Sequence, residues 1–376
     1  MKIMLLVSSM HAGGAERVAA TLVNAWSARG DQVTLVPTYS AKGDCFYPVS
    51  DAVELLWLAD LAGVYKPGPR SSLARLLALR RLVRERRPDV VASFLTNVNV
   101  TALAATRGLG VPVIVCERTN PAAGASNRGA LLERARRLAY PWADIVTVQA
   151  EATVEPFRAM VPGIRRLEVV PNPLPPELAD APVAVREEDP PGQRKRLMAM
   201  GRLVPEKQFD VLVDVFAGLA HAHPDWDLCI WGEGPERDAL QARIDASGMA
   251  SRVELAGRTD TPWQALAQGQ AFVLTSAVEG FPNVLLEAMA LGLPCAAFDC
   301  PSGPREMTRE GQDALLIPPS DRESLARALD CIMYDPALRR ELGERAARAV
   351  RGRYALGTVL ARWDELFAEV GARHES

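Results

Sequence analysis

Two glutamates, Glu279 and Glu287, are separated by seven residues in the stretch Glu279-Gly280-Phe281-Pro282-Asn283-Val284-Leu285-Leu286-Glu287. The apolar run Ala271-Phe272-Val273-Leu274-Thr275 before them reads as a buried parallel strand. Ala288-Met289-Ala290-Leu291-Gly292 after them reads as a helix closed by glycine. The stretch is therefore a strand-to-helix turn that carries two carboxylates. Gly280 lets backbone approach a ligand closely, and Pro282 and Asn283 are helix-start residues. The free N–H groups of such a start favour an anion. A phosphate attached to a polyhydroxylated body would suit both features, because carboxylates accept hydrogen bonds from hydroxyls. An acidic turn that only complements the helix dipole is the plainer reading of the same residues.

The elements that must hold this turn alternate between strand and helix. Lys2–Ser9 reads as a strand, Glu16–Arg29 as a helix with Val18, Leu22 and Trp26 on one side, and Gln32–Pro37 as the next strand. The turn His11-Ala12-Gly13-Gly14-Ala15-Glu16 is glycine-rich but is not Gly-x-Gly-x-x-Gly, and no acidic residue ends the second strand. Both facts argue against a dinucleotide-dependent dehydrogenase. Gly13 and Gly14 are equally consistent with a tight turn that lets the helix pack. Val111–Cys116 reads as a strand ending in Glu117-Arg118-Thr119-Asn120-Pro121, and Ala143–Val148 as another. Residues at strand ends line ligand crevices in such sheets, which makes Glu117 and Arg118 candidate ligand contacts.

A Pro-, Ala-, Glu- and Asp-rich stretch without periodicity, 176–194, reads as a linker between a domain over 1–175 and a second over 195–354. The second alternation includes Leu197–Met200, a helix from Phe209, Leu228–Trp231, Val253–Leu255 and Cys295–Phe298. The chain closes on a helix, Tyr354–Val370. Asp225-Trp226-Asp227 precedes a strand and reads as a solvated strand entry.

Composition narrows the function classes. The chain has 376 residues, 48% of them hydrophobic, a net charge of −3, four histidines and six scattered cysteines without a Cys-x-x-Cys pair. A soluble two-domain protein fits this, bulk nucleic-acid binding does not, and no metal site is expected. Scattered cysteines suit reduced thiols in the cytoplasm. The long uncharged stretch Val90–Thr106 is too polar to span a bilayer, so membrane association would be peripheral. Arg70–Arg87 reads as an amphipathic helix with seven arginines and one glutamate, and Arg128, Arg134, Arg136 and Arg137 form a second basic run. Both runs suit a solvated helix face, and both suit attraction to anionic lipid head groups.

The frame Glu-Gly-Phe-Pro-Asn continued by Leu-Glu-Ala-Met-Ala-x-Gly-x-Pro, sixteen consecutive residues from Glu279 to Pro294, resembles the signature of glycosyltransferase family 4. Gly201-Arg202-Leu203-Val204-Pro205-Glu206-Lys207 resembles that family's Gly-Arg-Leu-x-x-x-Lys loop, and Gly257-Arg258-Thr259 falls where family members hold the nucleotide base. The resemblance implies a retaining enzyme of GT-B architecture: two Rossmann-like, doubly wound α/β domains facing across a cleft, the last helix (about 355–376) crossing back to the first domain. It implies a UDP-sugar donor and no cofactor or metal. Arg202 and Lys207 would clamp the diphosphate with Gly280, Phe281, Pro282 and Asn283. Glu287 would hold the ribose, and Glu279 the transferring sugar. Gly13 and Gly14 would face diphosphate and acceptor. Where many members carry a histidine, this chain has Arg118 beside Glu117. The expected product is a bacterial surface glycan built on a lipid-linked, lipopolysaccharide or capsule acceptor, by a cytoplasmic enzyme peripheral at the inner face of the membrane. Rival readings are a GT-B nucleotide-sugar epimerase, transfer to a soluble small molecule, and a non-catalytic nucleotide-sugar-binding protein.

Overall fold

The computed structural model describes residues 1–41, 43, 45–66, 68–118, 129–181 and 194–372. The chain divides into two compact units, Met1–Pro173 with Gly357–Ser376, and Leu174–Leu356.

The first unit is built on seven strands: β1 (Lys2–Val7), β2 (Gln32–Pro37), β3 (Glu54–Leu55), β4 (Val90–Phe94), β5 (Val113–Cys116), β6 (Ile145–Val148) and β7 (Leu167–Val169). All neighbours run parallel, in the order β3-β2-β1-β4-β5-β6-β7. Strands in such a sheet are covered on both faces, which explains their unbroken apolar runs. Ile3, Leu5 and Val7 pack on one face with Trp26, Trp363 and Phe367. Met4 and Leu6 pack on the other with Leu79, Val83 and Val98. The last helix, Leu356–Glu369, joins this unit through an aromatic cluster: the Trp26 ring lies 5.6 Å from both Trp363 and Phe367.

The second unit has six parallel strands: β8 (Lys195–Met200), β9 (Trp226–Trp231), β10 (Val253–Gly257), β11 (Ala271–Leu274), β12 (Cys295–Phe298) and β13 (Leu315–Ile317). Their order is β10-β9-β8-β11-β12-β13. The order reverses between β8 and β11, so the loops leaving their carboxyl ends diverge and open a crevice. In the stretch read as a linker, Pro176–Ala179 is a short helix, and Leu174 and Leu178 are buried in the second unit's core. Residues 182–193 lie outside the described residues.

Asp225-Trp226-Asp227 is a strand entry of mixed exposure, with Asp225 exposed and Asp227 half-buried. Trp226 is fully buried, Asp225 pairs with Lys195 at 2.9 Å, and Asp227 pairs with Arg194 at 2.7 Å and Arg252 at 2.9 Å. These carboxylates close the amino-terminal edge of the sheet. Among the described residues no group of three or more His, Cys, Asp or Glu is gathered as a metal site, and no helix is long and apolar enough to cross a membrane.

Candidate functional site

The crevice residues of the second unit come from the two loops at its switch point. After β8 the chain passes through Gly201, Arg202 and Leu203 to a short turn, Pro205–Lys207. The Gly232–Gly234 turn after β9 fixes this loop from below. Gly232 has φ +146°, and a Cβ there would lie 1.8 Å from the Gly201 carbonyl oxygen. A Cβ at Gly234 would lie 2.2 Å from the Leu203 oxygen. Only glycines let the two loops approach this closely. Leu203 N–H donates to the Glu233 oxygen at 3.0 Å, closing the contact. Arg202, on this pinned loop, is exposed.

The loop after β11 is tied to the first. Thr275 Oγ1 donates to the Lys207 oxygen at 2.8 Å, and Ala277 N–H to the Glu206 oxygen at 2.8 Å. The side chains then meet: Lys207 Nζ lies 2.5 Å from Glu279 Oε1. On the far side, Ser302 (φ +76°) donates to the Glu279 oxygen at 2.8 Å and the Gly280 oxygen at 3.0 Å. Gly303 (φ +103°) leaves room for Pro282, whose Cδ a Cβ would meet at 2.4 Å. Phe281 is a core residue, its ring 5.7 Å from that of Tyr354, and anchors the turn from inside. Cys300 is buried, its thiol pushed up to about 12 by burial and then by the Glu279 charge.

The helix Asn283–Ala290 follows, closed as expected by Gly292 at φ +79°. Its start is less open to an anion than the Pro-Asn sequence suggests. Asn283 N–H donates to the Phe281 oxygen at 2.9 Å across a γ-turn at Pro282, and Leu285 and Leu286 N–H both donate to the Pro282 oxygen. With these amides committed, Arg202 and Lys207 are the cations that the two crevice loops carry. Glu287, one turn in, is buried, with 2% of its surface exposed. Trp263 Nε1 reaches its Oε2 at 3.3 Å. Trp263 sits in the helix Pro262–Leu266, just beyond the exposed Arg258. The sequence reading did not single out Trp263 or Ser302. Neither lies in a chemical motif, and their roles come from contacts 24 and 22 to 23 residues along the chain.

In the first unit, Gly13 precedes the helix Gly14–Ala28, and a Cβ on it would lie 2.2 Å from Glu16 Oε2. Glu16 folds back over this turn and accepts from Ser9 Oγ at 3.2 Å. Glu117 and Arg118 leave β5 side by side but differ in environment. Glu117 is buried, accepting from Thr96 Oγ1 at 3.0 Å and from the Tyr140 hydroxyl. Burial and then Glu117 push the Tyr140 hydroxyl well above its usual range. Glu117 is thus a buried bracket joining three elements. Arg118 stacks on Phe94 at 3.7 Å and donates to Asn172, which also accepts from Gln149 at 2.7 Å. Burial lowers its pKa from the usual guanidinium value. Thr119, Asn120 and Pro121 lie outside the described residues.

The basic helix presents most but not all of its arginines to solvent. It spans Pro69–Arg86, and Arg75 is buried, stacked 5.5 Å from the Tyr39 ring centre and donating to the Val64 oxygen. Arg80 donates to the Ala105 and Arg107 oxygens at 2.8 Å, capping the neighbouring helix. Leu73 and Leu77 are each 57% exposed. In the second basic run Arg136 is fully buried and paired with Glu133, and Arg128 lies outside the described residues.

With this geometry in hand, the comparisons with known proteins are specific. A glycosyl transferase 4-like domain matches residues 13–173, and the family described as glycosyl transferases group 1 matches residues 182–349. An exopolysaccharide phosphotransferase of Streptomyces coelicolor is 30% identical over 99% of the chain, which spans 41% of that protein's length. An α-1,4-N-acetyl-D-galactosaminyltransferase of Campylobacter jejuni, named as acting on a diphospho-undecaprenol-linked glycan, is 25% identical over 98% of the chain and 99% of its own length. Among solved structures, sucrose-phosphate synthase from Thermosynechococcus elongatus superposes with a TM-score of 0.85 at 18% identity, covering 99% of this chain and 100% of that one. Anabaena HepE in complex with UDP does so with a TM-score of 0.77 at 20% identity, covering 98% and 100%. The architecture is GT-B.

Proposed function

Given a chain that joins a glycosyl transferase 4-like domain to a group 1 glycosyl transferase domain on the GT-B fold, we propose that it transfers a hexose or N-acetylhexosamine from a UDP-sugar, with retention, to a lipid-linked, lipopolysaccharide or capsule glycan. The observation that carries the reading is the direct contact of Lys207 and Glu279 across the two loops at one switch point, with Arg202 on the first loop and Glu287 in the helix that follows the second.

The chemistry is departure of UDP from the anomeric carbon through a state that resembles an oxocarbenium ion. Negative charge grows on the diphosphate, and donors fixed before the reaction stabilise it without reorganising. Arg202 supplies a planar fork and Lys207 a point charge. With two cations aimed there, a divalent metal is not required. Glu279 accepts from the hydroxyls of the transferring sugar, and Glu287 from the ribose. Gly13 and Gly14 face the diphosphate and the acceptor, and Arg118 serves the sugar or acceptor side.

The undecaprenol-linked substrate named for the Campylobacter relative supports a lipid-linked acceptor. The exposed Leu73 and Leu77 beside exposed Arg81 and Arg84 support docking at an anionic membrane, with the enzyme peripheral at the inner face.

Thermal unfolding with UDP-glucose, UDP-galactose and their N-acetylamino forms tests the donor, since a ligand of the native state raises its stability by mass action. At least one should raise the midpoint, and its turnover should yield a product of unchanged anomeric configuration. No shift with any of them rejects the UDP-sugar reading. Release of an altered free sugar without acceptor would favour an epimerase.

A further inference from the structure

Lys207 and Glu279 are proposed above to serve different parts of one donor, yet in the structure they serve each other. Lys207 Nζ lies 2.5 Å from Glu279 Oε1, and their side chains are only 20% and 11% exposed. Their main chains are each pinned, Lys207 by Thr275 Oγ1 and Glu279 by Ser302 Oγ. The stem of Lys207 runs along Gly201, where a Cβ would lie 3.4 Å from its Cε. The side chains can therefore re-pair without either loop moving.

A diphosphate at this crevice competes with Glu279 for the same ammonium. Drawing Lys207 to phosphate leaves Glu279 a largely buried carboxylate without its counter-charge, which is costly unless other donors replace it. Sugar hydroxyls are such donors. Resting on the nucleotide-sugar reading of this site, we propose that Lys207 and Glu279 form an exchange pair. The diphosphate takes Lys207 from Glu279, and the hexose hydroxyls take the place of the ammonium. The two halves of the donor then bind with positive coupling. Nucleoside diphosphate alone meets the cost of the broken pair without the compensation. Once the sugar has been transferred, Glu279 recaptures Lys207 and helps to expel UDP.

Calorimetric binding of UDP and of the productive UDP-sugar to wild type, Glu279→Gln, Lys207→Met and the double variant tests this, with circular dichroism to verify folding. Glu279→Gln keeps the side chain's shape and frees Lys207. It should bind UDP about fivefold tighter than wild type, the scale of a partly exposed ion pair that need not be broken, and should lose the extra affinity for the sugar-bearing donor. In the Lys207→Met background the gain in UDP affinity should vanish. Unchanged or weaker UDP binding by Glu279→Gln would overturn the exchange and leave the pair as a rigid support. A gain that persists without Lys207 would overturn it too, since it would reflect relief of carboxylate–phosphate repulsion alone. Failure of wild type to bind any UDP species would instead remove the nucleotide-sugar reading itself.

Discussion

The indole Nε1 of Trp263 lies 3.3 Å from Oε2 of Glu287, a carboxylate with 2% of its surface exposed. An N–H bond to one oxygen fixes the plane of the carboxylate and thereby the direction in which its lone pairs can receive a ribose. Trp263→Phe keeps most of the ring and deletes the donor. It should weaken UDP binding by about three- to tenfold, the scale of one ordinary hydrogen bond, with little change in kcat at saturating donor. Calorimetry with steady-state kinetics reads both. Unchanged UDP affinity would reduce Trp263 to a packing residue.

Arg202→Ala and Lys207→Ala should each weaken UDP binding by about tenfold or more and lower turnover, because charge-assisted contacts to phosphate are lost. The helix-start amides near them are largely committed, so the crevice has little to replace these cations. Undiminished UDP affinity in both variants would take them out of the site.

The two glutamates should separate kinetically. Glu287→Ala should mainly raise KM for the donor, since ribose is held alike in ground and transition states. Glu279→Ala should cut kcat by about a hundredfold or more, if its contact to the sugar tightens as the anomeric carbon becomes cationic. Parallel changes in both constants for both variants would contradict this division of labour.

Exhaustive chelation should leave transfer intact. Asp225 and Asp227 are engaged by Lys195, Arg194 and Arg252. Activity lost to chelator and restored by manganese would refute metal independence.

Membrane docking should depend on the exposed part of the helix Pro69–Arg86. Binding to anionic vesicles should exceed binding to neutral ones and fall as salt rises, each surface arginine contributing about 1 kcal/mol at low salt. Replacing Leu73 and Leu77 with Ser, or Arg81 and Arg84 with Gln, should weaken it without altering UDP affinity. Arg80→Gln should act differently, lowering the melting temperature, because Arg80 caps the helix Thr96–Thr106. A wild type indifferent to anionic vesicles at low salt would point to a soluble acceptor.

Local order was legible in the sequence. Apolar runs placed β2, β8, β11 and β12 to within two residues, because strands buried on both faces carry few polar side chains. Gly292 marked the end of the helix that carries Glu287, since glycine there accepts a positive φ at little cost. The two-residue strand β3 and the three-residue strands β7 and β13 were not legible, because so short a run has no period of its own. Tertiary structure alone decided the pairings. Lys207 and Glu279 are 72 residues apart and meet because β8 and β11 are neighbours at the point where strand order reverses. Glu117 stands at a strand end, as a ligand contact would, yet Thr96 and Tyr140 close over it from separate elements. Arg75 and Arg136 look like surface cations in a basic run, but the packing of neighbouring helices buries them. Residue type and spacing set what a side chain is able to do. Whether it faces a crevice or a core depends on which distant segment covers it, and the order of strands in the sheets determines that.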